Sequence, residues 1–135
     1  MRRLLFACLL SLMLFPAVAD PVDFVVQLTR PSDNYGHRRA LMQIAKALDD
    51  IGADRVRFTV VAYEEGIHAL LEDNEQTREL VAGLARRGVI FHACRISMKA
   101  WGLDESRFPL EVEFVPAGAP DVIRLQLAGY KYWRP

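Results

Sequence analysis

Cysteine is scarce in this sequence. Only Cys8 and Cys94 occur among its 135 residues, and they do not form a pair at the short spacing that zinc and iron–sulfur sites require. Metal-binding domains built on cysteine pairs are therefore excluded. Because Cys8 lies in an apolar stretch near the N-terminus, Cys94 is the one thiol expected in the folded domain, where no intramolecular disulfide is then expected.

The sequence has no excess of either positive or negative charge. It also lacks the glycine-rich loops that bind nucleotides. The chain has 17 basic and 17 acidic residues, so its composition does not favour binding to nucleic acid. No glycine fingerprint of a dinucleotide site and no Walker-type phosphate loop is present. His37 and His68 have no second ligand at metal spacing. We therefore expect no cofactor, no bound metal and no nucleic-acid partner.

A hydrophobic run long enough to cross a bilayer is missing. The apolar segment from Leu4 to Phe15 falls short of the ~20 residues that a membrane-spanning helix needs. It follows the basic residues Arg2 and Arg3 and precedes the segment from Pro16 to Ala19, whose small residues are typical of a signal-peptidase site. These features together are those of a secretory signal peptide.

The pattern predicts a signal peptide at residues 1–19, cleaved after Ala19, and export to the periplasm. The remaining 116 residues, 20–135, are enough for one α/β domain with its own core. With Arg2 and Arg3 removed, 15 basic residues stand against 17 acidic ones, so the net charge of this domain is about −2. We expect no membrane span in the mature chain.

Apolar segments rich in β-branched and aromatic residues alternate with segments of helical periodicity. Four of them have the composition of strands: Val22 to Leu28, Val56 to Tyr63, Val89 to Cys94 and Leu110 to Val115. The alternation predicts a mostly parallel sheet of about five strands. The aromatic tail from Tyr130 to Trp133 is expected either to complete this sheet or to pack in a subunit interface.

The starts of the first two helices are predicted from capping residues. Ser32, Asp33 or Asn34 is expected to cap the first helix, and Asn74 the second. Gly52 follows the first helical pattern as its C-terminal stop.

Cys94 is predicted to lie where a buried strand ends and a short helix begins. In open α/β sheets the carboxyl ends of strands are where ligands bind, and a helix N-terminus beside Arg95 favours the reactive thiolate. An inert, buried cysteine is an equally good interpretation of this position. His92 lies two residues earlier on the same face of the strand, where it is a candidate base for Cys94 or simply a packed histidine.

The acidic pair Glu64 and Glu65 follows the second predicted strand and is expected at the same edge of the sheet as Cys94. A carboxylate there would serve acid–base chemistry or bind a cation; alternatively, both acids only stabilise the start of a short helix through its dipole. Together with Arg95 and Ser97, they are the candidate binding residues.

Several of these segments resemble the DsrE/DsrF-like family of sulfur-relay proteins. The similarity is carried by the Val-Ile-Phe-His-Ala-Cys strand that ends at Cys94, the helix from Ser97 to Leu103, the loop from Val115 to Gly118, and a closing Leu-Gln-x-x-Gly-Tyr-x-Tyr pattern that begins at Leu125. The closing pattern is typical of exported members with a single cysteine.

The resemblance implies a flavodoxin-like, three-layer α/β fold and assembly of identical chains into dimers, trimers or hexamers. It also implies that Cys94 carries sulfur as a persulfide. Two departures flank the expected pocket: Tyr63-Glu64 stands where relatives often have His-Gly, and Arg95-Ile96-Ser97 where many have Gly-Asn-Thr. The predicted signal peptide is a third departure, because cytoplasmic relay partners would be out of reach.

We therefore predict a periplasmic sulfur-handling protein, a persulfide carrier or a sulfurtransferase-type relay that uses Cys94, with His92 managing a proton. The alternative is a non-catalytic oligomeric module that binds a small molecule or a protein near Glu64, Glu65 and Cys94. The expected partners are further copies of this chain and a sulfur donor or acceptor protein. The sequence leaves open whether any catalytic turnover occurs.

Overall fold

The computed structural model describes residues 16–135. Most of the predicted signal peptide, residues 1–15, lies outside the described residues. From residue 16 onward, no helix combines the length and the apolar character needed to cross a membrane.

One sheet of five parallel strands forms the centre of the described domain, in the order β4-β3-β2-β1-β5. The strands are β1 (Val22–Leu28), β2 (Val56–Ala62), β3 (Ile90–Cys94), β4 (Val112–Val115) and β5 (Lys131–Trp133). The α-helices are α1 (Gly36–Ile51), α2 (Arg78–Arg86), α3 (Arg95–Ala100) and α4 (Gly118–Leu127). Short 3₁₀ helices are found at Asp33–Tyr35, Glu64–Leu70 and Glu105–Arg107.

The strand order decides on which face of the sheet each helix lies. The first four strands follow one another across the sheet, so right-handed crossovers place α1, α2 and α3 on one face. The chain then reverses direction from β4 at one edge to β5 at the other, and the same handedness places α4 on the opposite face. The three layers and the parallel sheet confirm the predicted α/β architecture. The strand order is not that of flavodoxin, in which β1 lies between β2 and β3.

The face covered by α1, α2 and α3 holds the main core. Period-two alternation turns Phe91 and Ala93 of β3 toward these helices, where both are fully buried. Leu41 of α1 and Leu84 of α2 pack into the same core. Since full burial of one such side chain contributes about 1.5–3 kcal/mol, this face provides most of the hydrophobic stabilisation.

The face covered by α4 alone has a much smaller apolar core. Its buried members are Val25, Val61 and Val122, with a few half-buried neighbours. The alternation of β3 places His92 and Cys94 on this face; His92 lies beside Val61 in the pairing with β2. The candidate site residues of β3 therefore lie under a single helix.

The aromatic tail forms β5, which pairs with β1. It thus completes the sheet, the first of the two predicted alternatives. β4, which contains most of the predicted strand from Leu110 to Val115, forms the opposite edge of the sheet and pairs with β3 alone.

The predicted capping residues are wrong for both helices. The chain reaches α1 through left-handed conformations at Asn34 and Tyr35, with φ of 49° and 58°, and the helix begins at Gly36 without a side-chain cap. A side chain at Gly36 would place its Cβ 2.4 Å from the Pro31 carbonyl oxygen, so glycine is required there. Asn74 forms a turn ahead of α2 and its Oδ1 accepts the N–H of Gln76 at 3.1 Å.

Candidate functional site

The sulfur of Cys94 lies between the N-termini of two helices. Cys94 ends β3 directly before α3, as predicted, and only 3% of its surface is exposed. The backbone N–H of Ser97 donates to Sγ at 3.5 Å, and the N–H of Gly118, the first residue of α4, donates at 3.2 Å. Both donors stabilise negative charge on the sulfur, as helix N-termini do for anions, whereas burial opposes it.

Gly118 brings α4 close to the cysteine because it has no side chain. A Cβ atom at this position would lie 2.6 Å from the Cβ of Tyr63 and 2.7 Å from its ring. The Tyr63 hydroxyl accepts a hydrogen bond from Gln27, and Gln27 accepts one from the Tyr132 hydroxyl. Burial raises the pKa of the Tyr63 hydroxyl. Tyr63 is therefore a neutral side chain, held in place by its hydrogen bond to Gln27, and the first residue of α4 packs directly against it.

Ser97 links the sulfur to the acidic pair. Its Oγ accepts the backbone N–H of Glu64 at 2.8 Å, while its own N–H donates to Cys94. Glu64 has a φ of 50°, a left-handed conformation that costs a non-glycine residue of the order of 1 kcal/mol. The hydrogen bond to Ser97 therefore holds a strained turn directly beside Cys94.

His92 ties β3 to the first turn of α4. Its Nδ1 lies 2.7 Å from Oδ2 of Asp121, which is buried and follows Gly118 by three residues. Its Nε2 lies 3.6 Å from Oε2 of Glu113. Both ring nitrogens thus face carboxylates, and within residues 16–135 no contact of His92 with the Cys94 sulfur supports the predicted proton transfer. The His92–Asp121 pair instead sets the position of the α4 N-terminus relative to the strand that carries Cys94.

Arg95 is directed away from the sulfur. Its guanidinium pairs with Glu105 and lies 5.3 Å from the centre of the Phe114 ring. Phe114 packs against the main core, on the face of the sheet opposite to Cys94. The charge of Arg95 is therefore engaged on that face.

Glu64 and Glu65 line an open groove beside Cys94, which we call the Trp101 groove. Its volume is about 420 Å³, and its lining residues are Glu64, Glu65, Ile96, Ser97, Ala100 and Trp101. Glu64 and Glu65 thus lie at the same edge of the sheet as Cys94, as predicted. The His68 ring packs edge-on against Trp101, with ring centres 4.5 Å apart.

The rest of the described surface, residues 16–135, offers weaker candidates for a binding site. A larger depression of about 580 Å³ lies between α2 and the loop before β4, but neither cysteine nor histidine lines it. Among residues 16–135, no group of three or more His, Cys, Asp or Glu side chains is arranged to hold a metal ion.

Gly118, Asp121 and Trp101 were not among the predicted site residues. Gly118 belongs to a Pro-Ala-Gly-Ala-Pro stretch that resembles a loop, although α4 begins there. The position of Asp121 could have been predicted from the sequence. It precedes Val122 by one residue and Leu125 by four, so it lies on the apolar side of its helix, which faces the sheet. A carboxylate on that side requires a buried partner, and His92 is that partner.

Comparison with known proteins identifies the fold and the family. The model of the DsrE/DsrF-like family matches residues 23–134. The protein of unknown function MTH1491 from Methanobacterium thermoautotrophicum is 28% identical in sequence, with a TM-score of 0.69 over 87% of this chain and 100% of that chain. The ychN protein from E. coli is 14% identical, with a TM-score of 0.64 over the same shares, and supports the fold alone. No curated protein matches.

The family match includes every residue of the site described above. It also covers all five strands apart from the first residue of β1. The chain is therefore a member of the DsrE/DsrF-like family, as its sequence motifs predicted.

Proposed function

We propose that this protein handles sulfur in the periplasm, with Cys94 accepting a sulfane sulfur and passing it to a partner as a persulfide carrier or sulfurtransferase-type relay. Membership of the DsrE/DsrF-like family, which is associated with sulfur relay, supports this proposal. The observation that carries it is the pair of backbone N–H groups, from Ser97 and Gly118, that point at the Cys94 sulfur. The Ser97 N–H is also the cap hydrogen bond of α3, whereas the Gly118 N–H comes from a separate helix and does not cap α3.

The proposed chemistry needs no cofactor. The Cys94 thiolate attacks the outer sulfur of a donor persulfide, the sulfur–sulfur bond of the donor breaks, and the donor leaves as a thiolate. Cys94 then carries the persulfide. An acceptor thiolate repeats the same step on the outer sulfur and releases Cys94, so electrons and atoms balance without an external oxidant or reductant. The Ser97 and Gly118 N–H groups stabilise the sulfur anion before the first step and after the second.

Location and assembly are part of the proposal. The basic, apolar and small-residue pattern of residues 1–19 supports export to the periplasm with cleavage after Ala19. Ile123 and Leu127 lie one turn apart on α4 and both expose more than half of their surface. An exposed apolar stripe of this kind supports assembly with further copies of the chain, which we propose occurs through the outer side of α4.

The test is the intact mass of the purified protein after exposure to polysulfide, with and without prior alkylation of the thiol. We expect mass increments of whole sulfur atoms that disappear after alkylation and in Cys94→Ser. The same spectrum reports whether the chain starts at Asp20. Circular dichroism of Cys94→Ser provides the control for folding.

An unchanged mass together with a thiol that does not react with iodoacetamide in the folded state would contradict the carrier function. That result would favour the non-catalytic alternative, an oligomeric module that binds a small molecule or protein in the Trp101 groove. Loss of folding in Cys94→Ser would support a structural role for the cysteine.

A further inference from the structure

The Trp101 groove exposes apolar side chains beside the buried sulfur. Ile96 is 64% exposed and Trp101 is 49% exposed, although Met98 of the same helix is buried in the main core. The packing of His68 against Trp101 holds the indole ring in place before any partner arrives. Ordered aromatic and aliphatic groups at the surface are typical of protein–protein contacts.

The charges of α3 are separated from this apolar surface. At 100° per residue, Ile96, Ser97, Ala100 and Trp101 occupy one side of the helix, and Arg95 and Lys99 occupy the other. Arg95 is moreover paired with Glu105. The lining of the groove thus contains carboxylates but no Lys or Arg.

Glu64 and Glu65 give the groove its charge. Neither carboxylate forms an ion pair with a residue of the described chain, 16–135, and both side chains are exposed at the groove. The Glu64 backbone is fixed by its hydrogen bond to Ser97, so this acid is held next to the residue that contacts the Cys94 sulfur. Two adjacent negative charges disfavour an anionic small molecule and favour a cationic partner.

We propose that the Trp101 groove is the docking surface for a protein segment that carries lysine or arginine next to apolar side chains. The apolar side chains of that segment would cover Ile96 and Trp101, and its cations would face Glu64 and Glu65. The docking itself does not depend on sulfur chemistry. The further step, that the docked segment presents a cysteine persulfide to Cys94, rests on the proposed function.

The first experiment measures docking with peptides that contain no sulfur. The probe is the blocked peptide Lys-Leu-Ser-Leu-Lys, with Glu-Leu-Ser-Leu-Glu and Lys-Gly-Ser-Gly-Lys as matched controls. Binding is followed by NMR through the indole N–H of Trp101, with that of Trp133 as the internal reference. We expect the basic, apolar peptide to shift the Trp101 signal with an affinity on the order of tenfold higher than either control. Equal affinities for the three peptides would overturn the proposal.

Variants that neutralise Glu64 and Glu65 test whether these two carboxylates attract the basic peptide. Glu64→Gln combined with Glu65→Gln is expected to weaken binding of the basic peptide by roughly threefold to tenfold. The matched control, Glu72→Gln combined with Glu75→Gln, removes the same charge from residues that do not line the groove and is expected to leave binding unchanged. An equal loss in both variants would mean a general charge effect and would contradict a specific docking surface.

Sedimentation tests the competing occupant, a second copy of this chain. Ile96→Asn removes the apolar contact without changing the charge of the groove, and it is expected to weaken peptide binding and to leave the oligomeric state unchanged. A smaller assembly in Ile96→Asn than in the wild type would assign the groove to subunit contact and overturn the proposal.

Replacing the serine of the peptide by a cysteine persulfide separates this proposal from the proposed function. Selective docking without transfer of sulfur to Cys94 would support the docking surface and contradict the sulfur carrier. Uptake of sulfur from polysulfide without a preference among the peptides would support the carrier and contradict the docking surface.

Discussion

The two faces of the sheet differ in how they are covered and in what they contain. Three helices bury an extended apolar core on one face, whereas α4 alone crosses the other. The His92–Asp121 pair, the hydrogen-bonded chain from Tyr63 to Tyr132 and the Gly118 N–H that donates to Cys94 lie on the thinly covered face, whereas the Ser97 N–H reaches the sulfur from α3. Because the first face supplies most of the hydrophobic stabilisation, the second can hold buried polar groups whose net contribution is small.

Truncation of one buried side chain on each face tests whether the three-helix face supplies most of the stability, and it is expected to give the largest effects. Phe91→Ala, in the main core, is expected to lower the free energy of unfolding by about 3–5 kcal/mol. Val61→Ala, fully buried under α4, removes less apolar surface and is expected to cost about 2 kcal/mol. Denaturation by urea, followed by circular dichroism, measures both. Equal losses would show that the α4 face contributes more than its small core indicates.

Addition of one methyl group at Gly118 sharpens the comparison within the α4 face. Gly118→Ala is expected to destabilise the protein by about 1–3 kcal/mol, because the new Cβ would overlap Tyr63 and push α4 away from Cys94. Gly83→Ala is the matched control: it lies inside α2 with its nearest neighbouring atom at 3.8 Å, and it is expected to stabilise the protein by about 0.5–1 kcal/mol. The difference in urea midpoint between the two variants is the measurement. A neutral effect of Gly118→Ala would mean that Tyr63 moves aside freely.

Removal of the buried carboxylate tests whether the His92–Asp121 pair holds α4 in place. Asp121→Ala leaves His92 without its partner and is expected to cost about 1–3 kcal/mol, with faster hydrogen exchange of the Gly118 N–H. Asp121→Asn keeps an acceptor for Nδ1 and is expected to retain most of the stability. The control Glu113→Gln changes an exposed residue at 3.6 Å and should alter stability by less than about 0.5 kcal/mol. Unchanged exchange at Gly118 in Asp121→Ala would refute the positioning role.

The smallest effect expected is a pH dependence at the start of α1. The Nε2 of His37 lies 2.7 Å from the Arg30 carbonyl oxygen, and its buried Nδ1 has no partner among residues 16–135. Burial is the main cause that lowers the pKa of His37 below its ordinary value of 6.5. The unfolded chain therefore binds the imidazole proton more readily than the folded protein does. The folded protein is not penalised by this difference above about pH 6.5, and it loses stability as the pH falls toward the lowered pKa of His37.

Urea midpoints between neutral pH and about pH 5 measure this dependence. His37→Gln keeps a donor for the Arg30 carbonyl and removes the titrating ring, so its midpoint should fall less steeply with decreasing pH than that of the wild type. Identical slopes in the two proteins would assign the pH dependence to other groups.

Strand and helix identities were largely predictable because they depend on local patterns. The β-branched run from Val22 to Leu28 and the glycine that ends α1 gave correct boundaries. The start of α1 was not predictable, since its approach depends on a close contact between Gly36 and the Pro31 carbonyl rather than on a capping side chain. Capping residues identify helix starts only where their own backbone adopts the capping conformation.

The candidate site was predictable only in part. The position of Cys94 and its shared edge with Glu64 and Glu65 followed from the parallel sheet. Which group each side chain contacts did not follow: Arg95 turns to Glu105, and His92 turns to Asp121. Sequence separations of 10 and 29 residues place these partners beyond any local periodicity.

The sequence by itself determined the α/β alternation, the burial of β3 and the arrival of one cysteine at its carboxyl end, because these depend on periodicity and composition. The tertiary structure decided what surrounds that cysteine. The reversal of the chain from β4 to β5 places α4 on the opposite face and brings the Gly118 N–H to the sulfur, and no local pattern encodes a contact between residues 24 positions apart.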